Sequence, residues 1–319
     1  MSATYLMSYP GPAWRVRGGA NVRSANRQAT SPRAALREWI ALADLIVRAG
    51  GHILVMPPPA VEPPLTGLPY TSSAGFLFRG ADEILFLLAN MAAPHRQPER
   101  DFVRLFAAEA GLTTRVAAAV WEGQADLLLV GGNRYLATWG PRSSRQSVDE
   151  VRTLLPPNSR LLDLQIQAPF FHGETCVASL ANRSGDLVLL VHGGALASGS
   201  LESIRRFVGN AVEVYPIDRE DAEAGACTGL CVDGTVILPR GISSGVRGQL
   251  IRRGFSIEEI DLPELFGKGG GGPRSLINEL RGLVLNPGAP DYAGKRDTLL
   301  ENIKSYPEVA PTQGETKGA

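Results

Sequence analysis

The sequence predicts an α/β protein assembled from about five copies of one strand, strand, helix, strand unit, spaced very roughly every 45 to 55 residues. Two observations carry that prediction. Short apolar strands and amphipathic helices recur in the same order along the chain. The helices also alternate with the strands and do not form a block of their own. Units of this length belong to propellers and stacked arrays, and a five-bladed α/β propeller is the expected architecture. One domain over residues 1–285 accommodates all five units, and residues 286–319 read as a polar C-terminal tail.

The elements follow in order. "ALREWIALADLIVRAGGHILVMPPP" supplies a first helix and strand. "EILFLLANMAAPHRQPERDFVRLFAAEAGLTTRVAAAV" predicts a long helix over residues 97–110. "GNRYLATWGPRSSRQSVDEVRTLLPPNSRLLDLQI" places its helix near 147–155. "GDLVLLVHGGALASGSLESIRRFVGNAVEVYPI" places one near 200–208, and "DGTVILPRGISSGVRGQLIRRGFSIEEIDLP" one near 246–253. A further short strand precedes these last three units: "ADLLLVG", "CVASLAN" and "GLCVDG" respectively. The closing stretch is rich in Pro and Gly, with one short helix expected at 295–305.

Composition excludes several function classes. Lys plus Arg equals Asp plus Glu at 32 each in 319 residues, so no global field favours nucleic acid or an anionic membrane. The apolar stretch "EILFLLANMAAP" is too short to span a bilayer, and the N-terminal residues lack a basic segment followed by an apolar signal region. A cytoplasmic protein is expected. Three cysteines, Cys176, Cys227 and Cys231, are too few and too odd in number for a disulfide framework. Without a second Cys/His pair at zinc spacing they read as buried apolar thiols.

In a ring of units, polar residues at the junctions converge on the axis. In "WEGQAD", Glu122 and Asp126 flank a glycine ahead of a strand, where two carboxylates can bind a cation, act as acid and base, or simply face solvent. In "FHGETC", His172 and Glu174 lie two apart, so an extended strand would turn both the same way. A histidine beside a carboxylate is either a tunable proton-transfer pair or a satisfied structural histidine. His52, His95 and His192 lie next to Gly or in a Pro/Arg loop. The loop "FGKGGGGPRSLINEL" fits neither a P-loop, since Lys268 precedes the glycines, nor a nucleophile elbow, since Ser275 is flanked by Arg274 and Leu276.

Taken together, the repeats and their junctions resemble the guanidine-modifying superfamily, or pentein fold: arginine deiminases, dimethylarginine dimethylaminohydrolases and amidinotransferases. The resemblance runs from "YLMSYPGP" to "SLINEL". "WEGQAD" is similar to the family's Glu-Gly-x-x-Asp motif, which implies that Glu122 and Asp126 carry carboxylates toward a substrate guanidinium. "FHGETC" resembles the His-Leu-Asp-Thr segment, which implies acid/base work for His172 and a guanidinium grip for Glu174. "GPRSSRQS" resembles the Gly-x-Arg-Ser/Thr element, where Arg142 would hold the substrate carboxylate. "APHRQPE" resembles the helix-opening Arg-x-x-Glu segment, with Arg96 and Glu99 in those places. Ser73 stands where the family usually has Asp or Asn, Gly173 and Glu174 replace Leu-Asp, and Thr228 replaces a common Asn.

The resemblance also accounts for the glycine loop, because in the family such a loop presents a nucleophilic cysteine, and Ser275 occupies that place. The implied chemistry is attack on the guanidinium carbon of arginine or a substituted arginine, a covalent amidino-enzyme species, and release by water or an acceptor amine; it needs only thiol, imidazole and carboxylates, so no metal or organic cofactor is implied. A hydroxyl is a far poorer nucleophile than a low-pKa thiol. Two explanations of Ser275 compete: an engineered Cys→Ser inactive form, and a natural loss of chemistry that leaves a protein binding a guanidino ligand or a protein partner. The expected partner is a small guanidino substrate; the sequence leaves the oligomeric state open, a homodimer included.

Overall fold

Five short strands of this chain are apolar at successive positions, so both of their faces need cover. In a computed structural model, which describes residues 3–17, 21, 23–24, 29–80, 84–283 and 290–309, each of them is the middle strand of a three-stranded sheet. The second sheet contains β3 (Gly75–Arg79), β4 (Ile84–Leu88), α2 (Glu99–Glu109) and β5 (Thr113–Val116); the helix α1 (Pro32–Arg48) precedes it. The third contains β6 (Leu127–Leu129), β7 (Arg134–Trp139), α3 (Arg145–Leu154) and β8 (Arg160–Gln165). The fourth contains β9 (Val177–Ala181), β10 (Leu187–Val191), α4 (Ser200–Val208) and β11 (Val212–Pro216). After the short helix α5 (Arg219–Ala224), the fifth contains β12 (Leu230–Val232), β13 (Thr235–Pro239), α6 (Ser244–Arg252) and β14 (Ser256–Ile260). In each, the first two strands are antiparallel and the last two parallel across the helix.

The first sheet is built from both ends of the chain. β1 (Thr4–Ser8) lies parallel to β2 (His52–Met56) across α1, and antiparallel to β15 (Asn278–Glu279). The strand that completes the first unit therefore comes from beyond residue 277, a pairing across the whole chain. At the head of α1, the Ser31 hydroxyl accepts the Ala34 amide and Pro32 takes the first turn, where its missing N–H costs nothing.

The packing follows the two-residue strand period. Leu189 and Val191 of β10 enter one core with residues of the third sheet, while Val188 and Leu190 enter another with residues of the fifth. β13 sends Val236 and Leu238 one way and Ile237 the other. β4 does the same with Phe86 and Leu88 against Leu87. Five apolar cores result, each shared by two consecutive sheets; the core with Tyr5 and Val55 joins the first sheet to Leu230 and Ile237 of the fifth. The sheets themselves stay separate. No helix among the described residues is long and apolar enough to cross a membrane.

Part of the segment read as a polar tail is docked. Its helix α7 (Tyr292–Asn302), with a final 3₁₀ turn at Ile303–Ser305, lies against α1. Tyr292 meets the Trp39 ring edge-on at 5.8 Å and donates to Asp44 Oδ1 at 2.8 Å, and Arg296 holds the same carboxylate through both oxygens. Residues 286–289 and 310–319 lie outside the described residues. Truncating this anchor, Tyr292→Ala, should cost about 3–5 kcal/mol of stability in denaturant titration. Thr298→Ala on the exposed side of α7 should be nearly neutral.

Candidate active site

A single 3₁₀ turn precedes the strand that runs antiparallel to the middle strand of each sheet, and those turns carry the polar residues. They are Thr71–Ala74 before β3, Gly123–Ala125 before β6, Gly173–Thr175 before β9, Ala226–Thr228 before β12 and Pro273–Leu276 before β15. The turns pack at van der Waals range, which demands glycine. A Cβ on Gly123, at φ +63°, would sit 2.6 Å from the Gly75 nitrogen. In the glycine-rich loop, a Cβ on Gly271 would meet the Tyr70 ring at 2.3 Å, and one on Gly272 would meet Thr228 Oγ1 at 2.1 Å. The glycines thread the loop between Tyr70 and Thr228 and deliver Ser275 to the same cleft as His172 and Glu174.

His172 is the electrostatic centre of this arrangement. Its Nδ1 lies 3.0 Å from Asp126 Oδ2, and its Nε2 lies 3.2 Å from Glu122 Oε2, a charge contact that lacks the alignment of a full hydrogen bond. Burial alone would lower the imidazole pKa. The charge and hydrogen bond of Asp126, followed by the close carboxylate of Glu122, overturn it and raise the pKa to about 10. For Glu122, fully buried, desolvation would raise the pKa, but His172, then Arg96 and Arg142, bring it down to about 2. At neutral pH the pair is therefore imidazolium and carboxylate: His172 is a charged acid.

Asp126 does not face the cleft as the resemblance implied. Its Oδ1 accepts from the Thr138 hydroxyl at 2.8 Å and the Gly173 amide at 2.9 Å, and its Oδ2 from the Ser143 hydroxyl at 2.6 Å as well as from His172. With both oxygens taken, it orients the imidazole and has no lone pair left for a substrate. Ser143 also accepts the Glu122 amide at 3.0 Å and so ties the two carboxylates together. Sequence reasoning missed Ser143, although the Arg-Ser pair that contains it was in view.

Glu174 is the carboxylate that the cleft retains. The Ser72 hydroxyl donates to its Oε1 at 3.0 Å, while its Oε2, in a side chain 2% exposed, has no partner among the described residues. Arg96 gives Nε and Nη2 to Glu99, Nη2 to Gly67 O and Nη1 to Ser73 Oγ, and stands 3.8 Å from Glu122. Its donors are committed, so it offers the cleft charge and a fixed Ser73 in place of a free fork. Arg142 stands 3.5 Å from Glu122 Oε1 and 5.7 Å over the Phe171 ring. Ser275 is 4% exposed, and no hydrogen bond reaches its Oγ from the described residues. The structure thus brings Ser73, Arg96, Arg142, His172, Glu174 and Ser275 to one cleft and sets Glu122 in contact with His172.

No family model matches the sequence. A nematode protein, the uncharacterized protein ZK1307.1 of Caenorhabditis elegans, is 29% identical over 161 residues, or 50% of this chain and 54% of that protein. The chain spans about half the length of the curated relative it matches. Solved structures are similar over far more of it. The N-terminal domain of ArgZ, an arginine dihydrolase from the ornithine-ammonia cycle in cyanobacteria, matches with a TM-score of 0.77 and 23% identity over 87% of this chain and 98% of that one. That domain is a Cys→Ser variant bound to substrate. A Cys→Ala variant of AgrE with L-arginine gives a TM-score of 0.77 and 24% identity over 90% of this chain and 41% of that one. A dimethylarginine dimethylaminohydrolase adduct gives 0.65 and 14% over 88% of this chain and 100% of that one. The fold is the one that these solved structures share, the pentein fold. Within it, the chain is similar in structure to the arginine dihydrolases ArgZ and AgrE.

The histidine's raised pKa fixes a pH dependence. Since the folded-state value of about 10 exceeds the ordinary 6.5, the stabilisation is fully present below pH 6.5 and is lost as pH rises through about 10. Scanning calorimetry from pH 6.5 to pH 10 should show the melting temperature of the parent falling more steeply than that of His172→Gln, which has no such proton to lose.

Proposed function

We propose that this chain is a guanidine-modifying enzyme acting on arginine or a substituted arginine, built as a five-bladed propeller whose axis opens on the cleft. One observation carries the reading: a charged acid, His172, a buried carboxylate with an unpartnered oxygen, Glu174, and a small nucleophile position, Ser275, share one cleft. In this mechanism Glu174 Oε2 accepts from a guanidinium N–H and holds the planar cation against residue 275. A bond forms from residue 275 to the guanidinium carbon as its O–H or S–H bond breaks, that proton passing to the departing nitrogen; the C–N bond then breaks, and the proton that His172 supplies lets the amine leave as an ammonium ion. Neutral His172 then takes one proton from the incoming water or ammonium, and residue 275 takes the other as its bond to the amidino carbon breaks, which releases the amidino group and restores the imidazolium. Asp126 keeps Nδ1 fixed throughout, and Glu122 stabilises the charged state. Similarity to hydrolytic neighbours favours water as the acceptor.

Ser275 supports a second reading, in which the site binds a guanidino ligand without turnover. A hydroxyl loses its proton only to a base, and the nearby histidine is already protonated. A thiol needs far less help. A Cys→Ser form of ArgZ is found bound to its substrate, which fits a serine site that keeps affinity.

The test is a paired assay of the parent and Ser275→Cys with arginine, methylated arginines and agmatine, following ureido product, released amine and mass adducts at residue 275. Turnover at least about a hundredfold faster in the Cys form, with an adduct, is expected of the enzyme reading. Inertness of both forms with ligand still bound supports the binding reading. No binding by either form removes both.

Loss of Glu174 Oε2 should act on affinity first. Glu174→Gln is expected to weaken guanidino-ligand binding by about tenfold to a hundredfold in calorimetric titration while leaving the fold intact.

A further inference from the structure

Resting on the guanidino reading above, the charges around the cleft say more about the rest of the ligand. Among the described residues, four arginines line the cleft, Arg15, Arg17, Arg96 and Arg142, against one carboxylate, Glu174. Glu99 neutralises Arg96, and Glu122 is engaged by His172, Arg96 and Arg142. Glu174 is nearly inaccessible, whereas Arg15 and Arg17 are only partly buried. The cleft is therefore graded, with its carboxylate in the interior and arginines nearer solvent.

The outer arginines belong to an unusual stretch. Before Glu38 the chain contains six arginines and no acidic residue. Arg17 illustrates the result: its Nη2 reaches only Pro64 O, at 3.4 Å, its Nε is buried without a partner, and no carboxylate lies within ion-pair distance among the described residues. His95 lies on the same wall. Burial, followed by the guanidiniums of Arg17, Arg96 and Arg142, pushes its imidazole pKa down, so three positive groups converge there.

Free arginine fits this wall poorly. Its guanidinium uses Glu174, and its α-carboxylate suits the arginines, but its α-ammonium finds no further carboxylate among the described residues of the cleft and enters a field of like charge. We propose that the ligand is a guanidino acid whose far end is purely anionic: an ω-guanidino carboxylate without a free α-ammonium group. Arg17 selects that end. The ligand's cation and anion then match the interior carboxylate and the outer arginines in turn.

The full chain is titrated calorimetrically with 4-guanidinobutyrate, L-arginine and agmatine at low and high salt. The expected order is 4-guanidinobutyrate tighter than arginine by about tenfold, with agmatine, a dication, weakest. The gap should narrow as salt screens the outer arginines. Arg17→Gln should abolish most of the preference, and Arg17→Lys should retain it, with circular dichroism confirming that both are folded. If Arg17→Gln does not fold, Arg17→Lys and the salt dependence decide. Arginine binding as tightly as 4-guanidinobutyrate, or a preference unchanged in Arg17→Gln, overturns this inference and leaves the guanidino reading intact. Failure of all three compounds to bind removes that reading and this one together.

Discussion

Everything in this molecule depends on middle strands that are apolar on both faces. A sheet with one wet face could stop at any edge of the protein. A strand such as β10, with Leu189 and Val191 on one side and Val188 and Leu190 on the other, needs a neighbour on each. Five such sheets satisfy one another in succession, and the core that contains Tyr5, Ile237 and Leu265 lets the fifth meet the first. Most of the stability therefore lies between sheets, and the apolar area buried there is the main favourable contribution.

That arrangement fixes where polar chemistry can occur. The turns ahead of the first strands come together, so a residue at the same place in each unit reaches a common centre. Burial there is severe, and isolated charges would be costly. The chain answers with a connected array: Asp126 held by Thr138, Ser143 and Gly173, His172 between Asp126 and Glu122, and Glu122 beside two arginines. Each charge is compensated by the next, which makes the histidine a strong holder of its proton. Glu174 departs from that pattern, because one of its oxygens has no partner among the described residues. In a protein interior, such an oxygen marks a place where something else donates.

Ser275 shows how position and reactivity separate. The glycines between Tyr70 and Thr228 place residue 275 with little regard to its chemistry, since only their lack of side chains lets the loop pass. The same geometry serves a thiol that attacks or a hydroxyl that only lines the cleft. What differs is acidity, and the histidine of the same cleft already holds its proton.

Much of the fold was legible in the sequence. The strand and helix order, the helix at 200–208 and the short strands ahead of three units follow from local periodicity, which each segment carries by itself. The motif residues Glu122, His172, Glu174 and Ser275 were legible too, because their segments resemble known ones. Local signals could not show that β15 completes the first sheet, since a two-residue strand has no periodicity and its partner lies more than 270 residues away. Nor could they show that Tyr292 docks a segment of polar composition, or that Asp126 turns to His172 and away from the cleft. The sequence by itself determined which segments are strands and helices and which side chains could do chemistry, because these depend on neighbours in the chain. Tertiary structure alone decided which oxygens are already taken, because a lone pair's occupancy depends on side chains brought in from other sheets.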